Sequence, residues 1–207
     1  LPNFTIVGLA DKAVSEARER VRSALVASGL ALPAKRITVN LAPADMPKEG
    51  SHYDLPIALA LMAAIGAIPP DAISGYTVLG ELALDGILTP VSGVLPAAVM
   101  AHGRGQGIIC PKACGPEAAW AGAGVDILAA DSLIALSNHF KGLQVLTRPE
   151  PKVRMLDGSA PDLADIKGQE SAKRALTPQS RRFFGAKYLA PQAPGGVKIE
   201  WDFSPLT

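Results

Sequence analysis

Between Lys48 and Asp54 the chain reads Lys-Glu-Gly-Ser-His-Tyr-Asp, which gathers a nucleophile (Ser51), a base (His52) and two acids (Glu49 and Asp54) in one short stretch. These are the residue types of acyl transfer: a hydroxyl attacks, an imidazole takes its proton, and a carboxylate orients the imidazole. The spacing argues against that chemistry. Adjacent side chains rarely point at one another, and working triads are assembled from distant chain segments. A self-contained catalytic site at Glu49, Gly50, Ser51, His52 and Asp54 is therefore not expected.

Other chemistries find less support. His52, His102 and His139 are scattered, and Cys110-Pro-Lys-Ala-Cys114 has no second cysteine pair, so neither zinc nor thioredoxin-like chemistry is expected. No Gly-x-x-x-x-Gly-Lys-Ser/Thr occurs, so the chain has no Walker A phosphate cradle. Gly103-Arg-Gly-Gln-Gly107 follows a helix and precedes a strand, the reverse of a phosphate-binding order, and reads as a turn. No cofactor or metal ligand set is expected within the chain.

The elements around the polar stretch are legible. Arg36 to Leu41 alternates, with Ile37, Val39 and Leu41 on one face, and predicts a strand that Pro43 and Pro47 terminate. Asp54 is positioned to cap the next helix, with Pro56 in its first turn; from Leu55 to about Ile65 that helix is apolar nearly all round and should be buried on several sides. Upstream, Asn3 to Gly8 predicts a strand. Asp11 then caps a helix that runs to Gly29, with Val14, Ala17, Val21, Ala24, Leu25 and Ser28 as its apolar stripe. Glu16, Arg18, Glu19, Arg20 and Arg22 read as the solvated face of that helix rather than a phosphate site.

Downstream, Thr77 to Val91 reads as a hairpin with Asp85-Gly86 as a two-residue turn. A helix from about Leu95 to His102, a strand at Gly107 to Pro111, a short helix from Pro116 to Ala121, a strand at Val125 to Leu128 and a helix capped by Asp131 follow. Hairpins mixed with βα units predict an α+β domain with a mixed sheet and packed helices.

Of the 207 residues 48% are hydrophobic and 19% charged, ample for one sizeable core. No apolar run approaches the roughly 20 residues of a membrane span, and no signal peptide is visible, so no membrane partner is expected. The compartment expected is the reducing cytoplasm. The absence of an initiator methionine suggests a start within a longer protein. Residues 1–140 hold nine Lys/Arg against twelve Asp/Glu, and residues 141–187 hold ten against five, so a mildly acidic body precedes a basic segment.

Residues 147–161 read as a linker, 162–176 as the start of a second domain, and 177–207 as an atypical tail holding five of the ten aromatics. In that tail Val197, Ile199, Trp201 and Phe203 alternate with charged residues, a strand pattern. Arg181-Arg182 beside aromatics also permits an RNA-binding reading of the tail, although an altered or appended tail is favoured.

Four motifs, in order, resemble the magnesium-chelatase-like AAA+ family of ComM/YifB type. They are Phe4-Thr-Ile-Val-Gly with the helix after it, Asn40 to Leu59 across the polar loop, Gly80-Glu-Leu-Ala-Leu-Asp-Gly86, and Asp162 to Leu176. The resemblance covers roughly residues 1–176. It implies a longer protein with an ATPase ring that uses ATP and Mg, a hexameric self-assembly, and for some members a DNA helicase activity driving branch migration in natural transformation. It also implies that residues 1–146 form a domain similar to the proteolytic domain of Lon protease, a ribosomal-protein-like βαβ fold, preceded in the family by another strand or two.

That proteolytic domain uses a serine nucleophile and a lysine base. On this sequence the serine's place falls at His52, with Ser51 beside it, and the lysine's place falls at Ala97. Without a lysine to take its proton, a serine hydroxyl stays a poor nucleophile. The reading is a non-catalytic N-terminal domain, serving ring assembly or guidance of DNA or a partner. Two alternatives stand beside it: a DNA-binding module using the basic 141–187 segment, and a hydrolase with a rearranged site at Ser51, His52 and Asp54. The missing strands would leave an open sheet edge, which the segment from Val197 to Phe203 is expected to cover.

Overall fold

In a computed structural model of the chain, residues 3–152 are described, together with 167–168 and two short strands at 186–188 and 199–201. They belong to two compact units, Leu1–Val153 and Arg154–Thr207. The expected start of an ATPase module at 162–176 and most of the 177–207 tail lie outside the described residues.

The first unit opens with β1 (Asn3–Val7), α1 (Lys12–Ala27) and β2 (Arg36–Asn40), and β1 pairs with β2 in parallel, Phe4 opposite Ile37 and Val7 opposite Asn40. Two parallel strands need a crossover, and α1 supplies it. Its ends are set by local chemistry. The Asp11 side chain accepts from Val14 N–H at 2.7 Å. At the other end Gly29, at φ +76°, takes the left-handed turn. There Leu30 N–H reaches Leu25 O and Gly29 N–H reaches Val26 O, the paired bonds of a Schellman motif. Val14, Ala17, Val21, Ala24 and Leu25 are buried as the periodicity predicts.

The chain continues through α2 (Asp54–Ala64), β3 (Tyr76–Val78), β4 (Glu81–Leu82), β5 (Leu88–Thr89), α3 (Val94–Gly103), β6 (Gly107–Pro111), α4 (Gly115–Ala118), β7 (Ile127–Ala130) and α5 (Leu133–Phe140). Strands β3, β6 and β7 form a parallel sheet with β6 central. Every residue of β6 and β7 is buried, because the sheet is covered on both faces. Ile109, Leu128 and Ala130 enter one apolar cluster with α1, α2 and α5, while Ile108, Cys110, Ile127 and Ala129 enter another with Val94 and Ala98 of α3 and Ala118 of α4. Alternate side chains of the same strands thus feed two cores. Helices with parallel and antiparallel strands agree with the α+β expectation.

Several local expectations are corrected. The hairpin is smaller than its sequence pattern: β4 pairs with β5, but Thr77 and Val78 leave it for β6. Its loop is Leu84-Asp85-Gly86, three residues rather than two. Gly86 N–H returns to Ala83 O, and Gly86 itself sits at φ +87°. A type I turn followed by a left-handed residue is the usual three-residue solution. The turn is held by tertiary contact, since a Cβ on Gly86 would lie 2.7 Å from Ser28 Oγ at the end of α1. Ser132, not Asp131, caps α5, its hydroxyl accepting from Ala135 N–H at 3.3 Å. Asp131 faces Lys112 instead.

Thr147 to Lys152, linker by composition, bonds to the domain. Arg148 donates to the carbonyls of Gly122 and Val125, and the Trp120 indole donates to Lys152 O at 3.4 Å. In the second unit β8 (Ala186–Tyr188) pairs antiparallel with β9 (Ile199–Trp201), so the alternating segment forms a strand whose partner lies in the tail itself. No helix among the described residues is long and apolar enough to cross a membrane.

Candidate functional site

The polar stretch lies where α1, α2 and the hairpin meet, and each of its groups has a local reason for its place. Pro43 and Pro47 deny the stretch a ladder, so its backbone is held instead by the turn between β1 and α1. Lys48 N–H donates to Leu9 O at 3.1 Å, and Lys48 O accepts from Asp11 N–H at 3.0 Å. The Lys48 amine is buried at 5% exposure and donates to Met46 O at 2.8 Å and to Pro43 O. Asp11 also accepts from Gly50 N–H at 3.1 Å. These backbone donors, Val14 first and Gly50 next, hold the Asp11 carboxyl below the usual aspartate range.

A short 3₁₀ turn, Ser51–Tyr53, leads into α2. Asp54 does not cap that helix, as the sequence suggested. It is fully buried, and its carboxylate accepts from Arg20 Nε at 2.6 Å, Arg20 Nη2 at 3.0 Å and Leu82 N–H at 3.2 Å. A two-pronged guanidinium–carboxylate bond is among the stronger ionic contacts, and its removal on one side leaves the other partner's charge buried and unpaired. The hydrogen bond that Arg20 donates to Asp54 in turn raises the Arg20 pKa above the ordinary arginine value. Arg20 also donates to Ala13 O at 2.8 Å. It therefore leaves the solvated face assigned to it and joins α1 to α2 and β4.

Ser51 Oγ donates to Glu81 Oε2 at 2.5 Å. The joint is closed by backbone on both sides: Gly80 N–H donates to His52 O at 3.1 Å, and Leu55 N–H donates to Gly80 O at 3.0 Å. Glycine eases this approach, because a Cβ at position 80 would sit 2.9 Å from Leu55 Cδ2 and 3.3 Å from Pro111 Cδ and would push the Leu55 side chain aside. The His52 ring lies against Tyr53 with centroids 4.3 Å apart. No hydrogen bond from its imidazole occurs among the described residues.

The structure thus brings Ser51 to Glu81 and Asp54 to Arg20. It does not link Ser51, His52 and Asp54 into a relay. Glu49 is exposed, and Ala97 lies on α3, half-buried against the second apolar cluster with a methyl group that moves no proton. The Ser51–Glu81 bond ties the loop to the hairpin. A groove of about 380 Å³ lies elsewhere, lined by Lys112, Pro116, Asp131, Gln144, Pro149 and Lys152 among others. Cys110 and Cys114 are free and buried, and burial pushes the Cys110 thiol up to about 12, so it carries no thiolate chemistry near neutral pH.

Arg20, Lys48 and Glu81 are the residues that sequence reasoning missed. Only Glu81 left a signal there, in the Gly-Glu that opens the hairpin.

The family described as subunit ChlI of Mg-chelatase matches residues 1–114. The chain is 45% identical over 176 residues to the uncharacterized protein YifB of Escherichia coli K12, an overlap of 85% of this chain and 35% of that protein. It is 39% identical over 203 residues to the competence protein ComM of Haemophilus influenzae, covering 96% of this chain and 40% of that protein. The uncharacterized protein Rv2897c of Mycobacterium tuberculosis is 36% identical over 198 residues, 95% of this chain and 39% of its own length. The chain therefore spans well under half the length of these curated relatives.

Proposed function

The chain belongs to the magnesium-chelatase subunit ChlI family, among ComM- and YifB-like relatives, and on that premise we propose that residues 3–152 act as a non-catalytic, competence-related domain. Its role is to assemble or guide an AAA+ ring carried by a longer protein. Likeness to the Lon proteolytic domain is part of the same proposal. The observation that carries it is the use of the polar groups: Asp54 bonds to Arg20 of α1, Ser51 bonds to Glu81 of the hairpin, Lys48 holds its own loop, and no relay of Ser51, His52 and Asp54 forms among the described residues. Evolution toward a scaffold leaves this pattern, in which groups at a former reaction centre become joints between elements.

ATP and Mg belong, in this reading, to the ATPase module. The residues of this chain do not fit them: its sequence has no Walker A loop, and no group of three metal-capable side chains occurs among the described residues.

The test is to delete the domain from a full-length family member and to follow ring formation by light scattering, ATP turnover and DNA unwinding. Loss of the ring, or of DNA unwinding while ATP turnover persists, is expected. A deletion protein that assembles and unwinds DNA like the complete one overturns the reading. Labelling of Ser51 by a fluorophosphonate probe would overturn its non-catalytic part and restore the hydrolase alternative.

A further inference from the structure

The mild net acidity of the first 140 residues conceals a division. Residues 3–36, which build β1, α1 and β2, carry six Lys/Arg against three Asp/Glu, whereas residues 37–140 carry three against nine. Four of these six cations lie around Asn3 at the start of β1. Arg18 and Arg22, one turn apart on the outer side of α1, line a small groove of about 140 Å³ with Asn3, Phe4 and Glu19. Strand register places Arg36 directly opposite Asn3, with Lys35 beside it. Arg18, Arg22, Lys35 and Arg36 are exposed.

Three features single this face out. Among the described residues Arg22, Lys35 and Arg36 make no ion pair, and Arg18 shares only Glu19 through its Nε at 3.1 Å, leaving the rest of its fork unbonded. The one other arginine of α1, Arg20, is spent on Asp54, so the folding contacts and the surface cations are separate sets. The aromatic that lines the groove, Phe4, is buried beneath it, so the face lacks the exposed aromatic anchors typical of a protein–protein interface core.

We propose that Arg18, Arg22, Lys35 and Arg36 form a contact surface for the phosphate backbone of a nucleic acid, independent of the basic 141–187 segment. Guanidinium forks match phosphate geometry, and a concentrated basic face on an acidic body both orients a polyanion and keeps it off the remaining surface. The proposal rests on the guidance half of the preceding reading and supplies its contact. Recognition is of the backbone, without sequence preference, because contacts from guanidinium and amine groups to phosphate carry no base information.

The experiment is fluorescence anisotropy of single-stranded and duplex DNA with the 207-residue chain across a salt series. It is repeated for the triple variant Arg18→Ala/Arg22→Ala/Arg36→Ala, for the corresponding triple Lys variant, and for a chain ending at Lys152. Circular dichroism checks that each is folded. Expected are salt-steep binding by the natural chain, retained by the shorter chain and largely kept by the Lys variant. The Ala variant should bind roughly tenfold or more weakly, with a log–log salt slope shallower by about three, one unit per lost contact. Equal binding by the Ala variant overturns this surface and leaves guidance to another part of the chain. Absence of salt-sensitive binding by the natural chain overturns the surface together with guidance of DNA, and leaves ring assembly standing. Displacement by polyglutamate as effective as by DNA would overturn it in favour of an acidic protein partner.

Discussion

Two sides of one helix meet opposite fates. On α1, Arg20 turns inward and is bound through two nitrogens to the fully buried Asp54, while Arg18 and Arg22, two positions to either side, stay in water. The residue type is the same and so is the helix. What differs is the partner that folding brings within reach: a carboxylate 34 residues away, in an element that packs against only one side of α1. An arginine on a helix is thus neither a surface charge nor a structural ion by its own nature; the opposing element decides. Here that separation divides the molecule into a region where polar groups hold elements together and a region where they are free to meet something else.

Asp54→Ala leaves Arg20 and the Leu82 N–H without their acceptor, and stability measured by denaturant unfolding should fall by about 3 kcal/mol or more. If Asp54→Ala costs no more than a surface change, the inward side has no special standing. Lys48→Met should come next, because it strips the Pro43 and Met46 carbonyls of a buried donor; a loss of about 1–3 kcal/mol is expected in the same assay.

A smaller effect, about 1 kcal/mol, is expected for Ser51→Ala, which removes one hydroxyl bond to Glu81. Ring assembly or DNA handling by a full-length protein carrying that change should be unaltered. The smallest effect belongs to the outward side. Arg22→Ala should change stability by less than about 0.5 kcal/mol, since an exposed charge without a partner contributes little to folding. A larger loss would show that the outer face also serves the fold.

Alkaline pH offers an independent check on the second core. The Cys110 thiol is pushed up to about 12 in the folded state by burial, whereas an unfolded thiol ionises near about 8.5. The unfolded chain therefore releases this proton first, and stability should fall as pH rises through the window between those values. The Cys110→Ala variant, followed by thermal unfolding, should show a shallower fall. An equally steep fall in that variant would assign the alkaline sensitivity to the other groups that burial raises, Cys114 and Tyr76, the latter pushed up to about 12 by burial and by its bond to Asp126.

Much of the fold was legible because its signals are local. Asp11 caps α1 because a side-chain oxygen three residues upstream can reach a free N–H. Gly29 ends the helix because only glycine enters the left-handed region without cost. The apolar run of α2 announced burial on several sides, and β6 announced a strand covered on both faces, since neither has a polar stripe to turn toward water. The hairpin was legible as a hairpin but not in its extent: Thr77 and Val78 have the same β-forming character whether they pair with β5 or with β6.

The candidate site was far less legible. Its residue types were plain, and the weakness of a triad made of near neighbours was plain as well. No local pattern, however, distinguishes Arg20 from Arg18, or shows that Ser51 meets Glu81 30 residues on. Sequence by itself determined the order of the elements of the first unit, how α1 begins and ends, which faces are apolar, and that no Walker A loop is present. The tertiary structure alone decided which charges are buried and which remain outside. The reason is physical: caps and periodicities are settled within one or two turns of chain, whereas a buried ion pair depends on which distant surface closes over it.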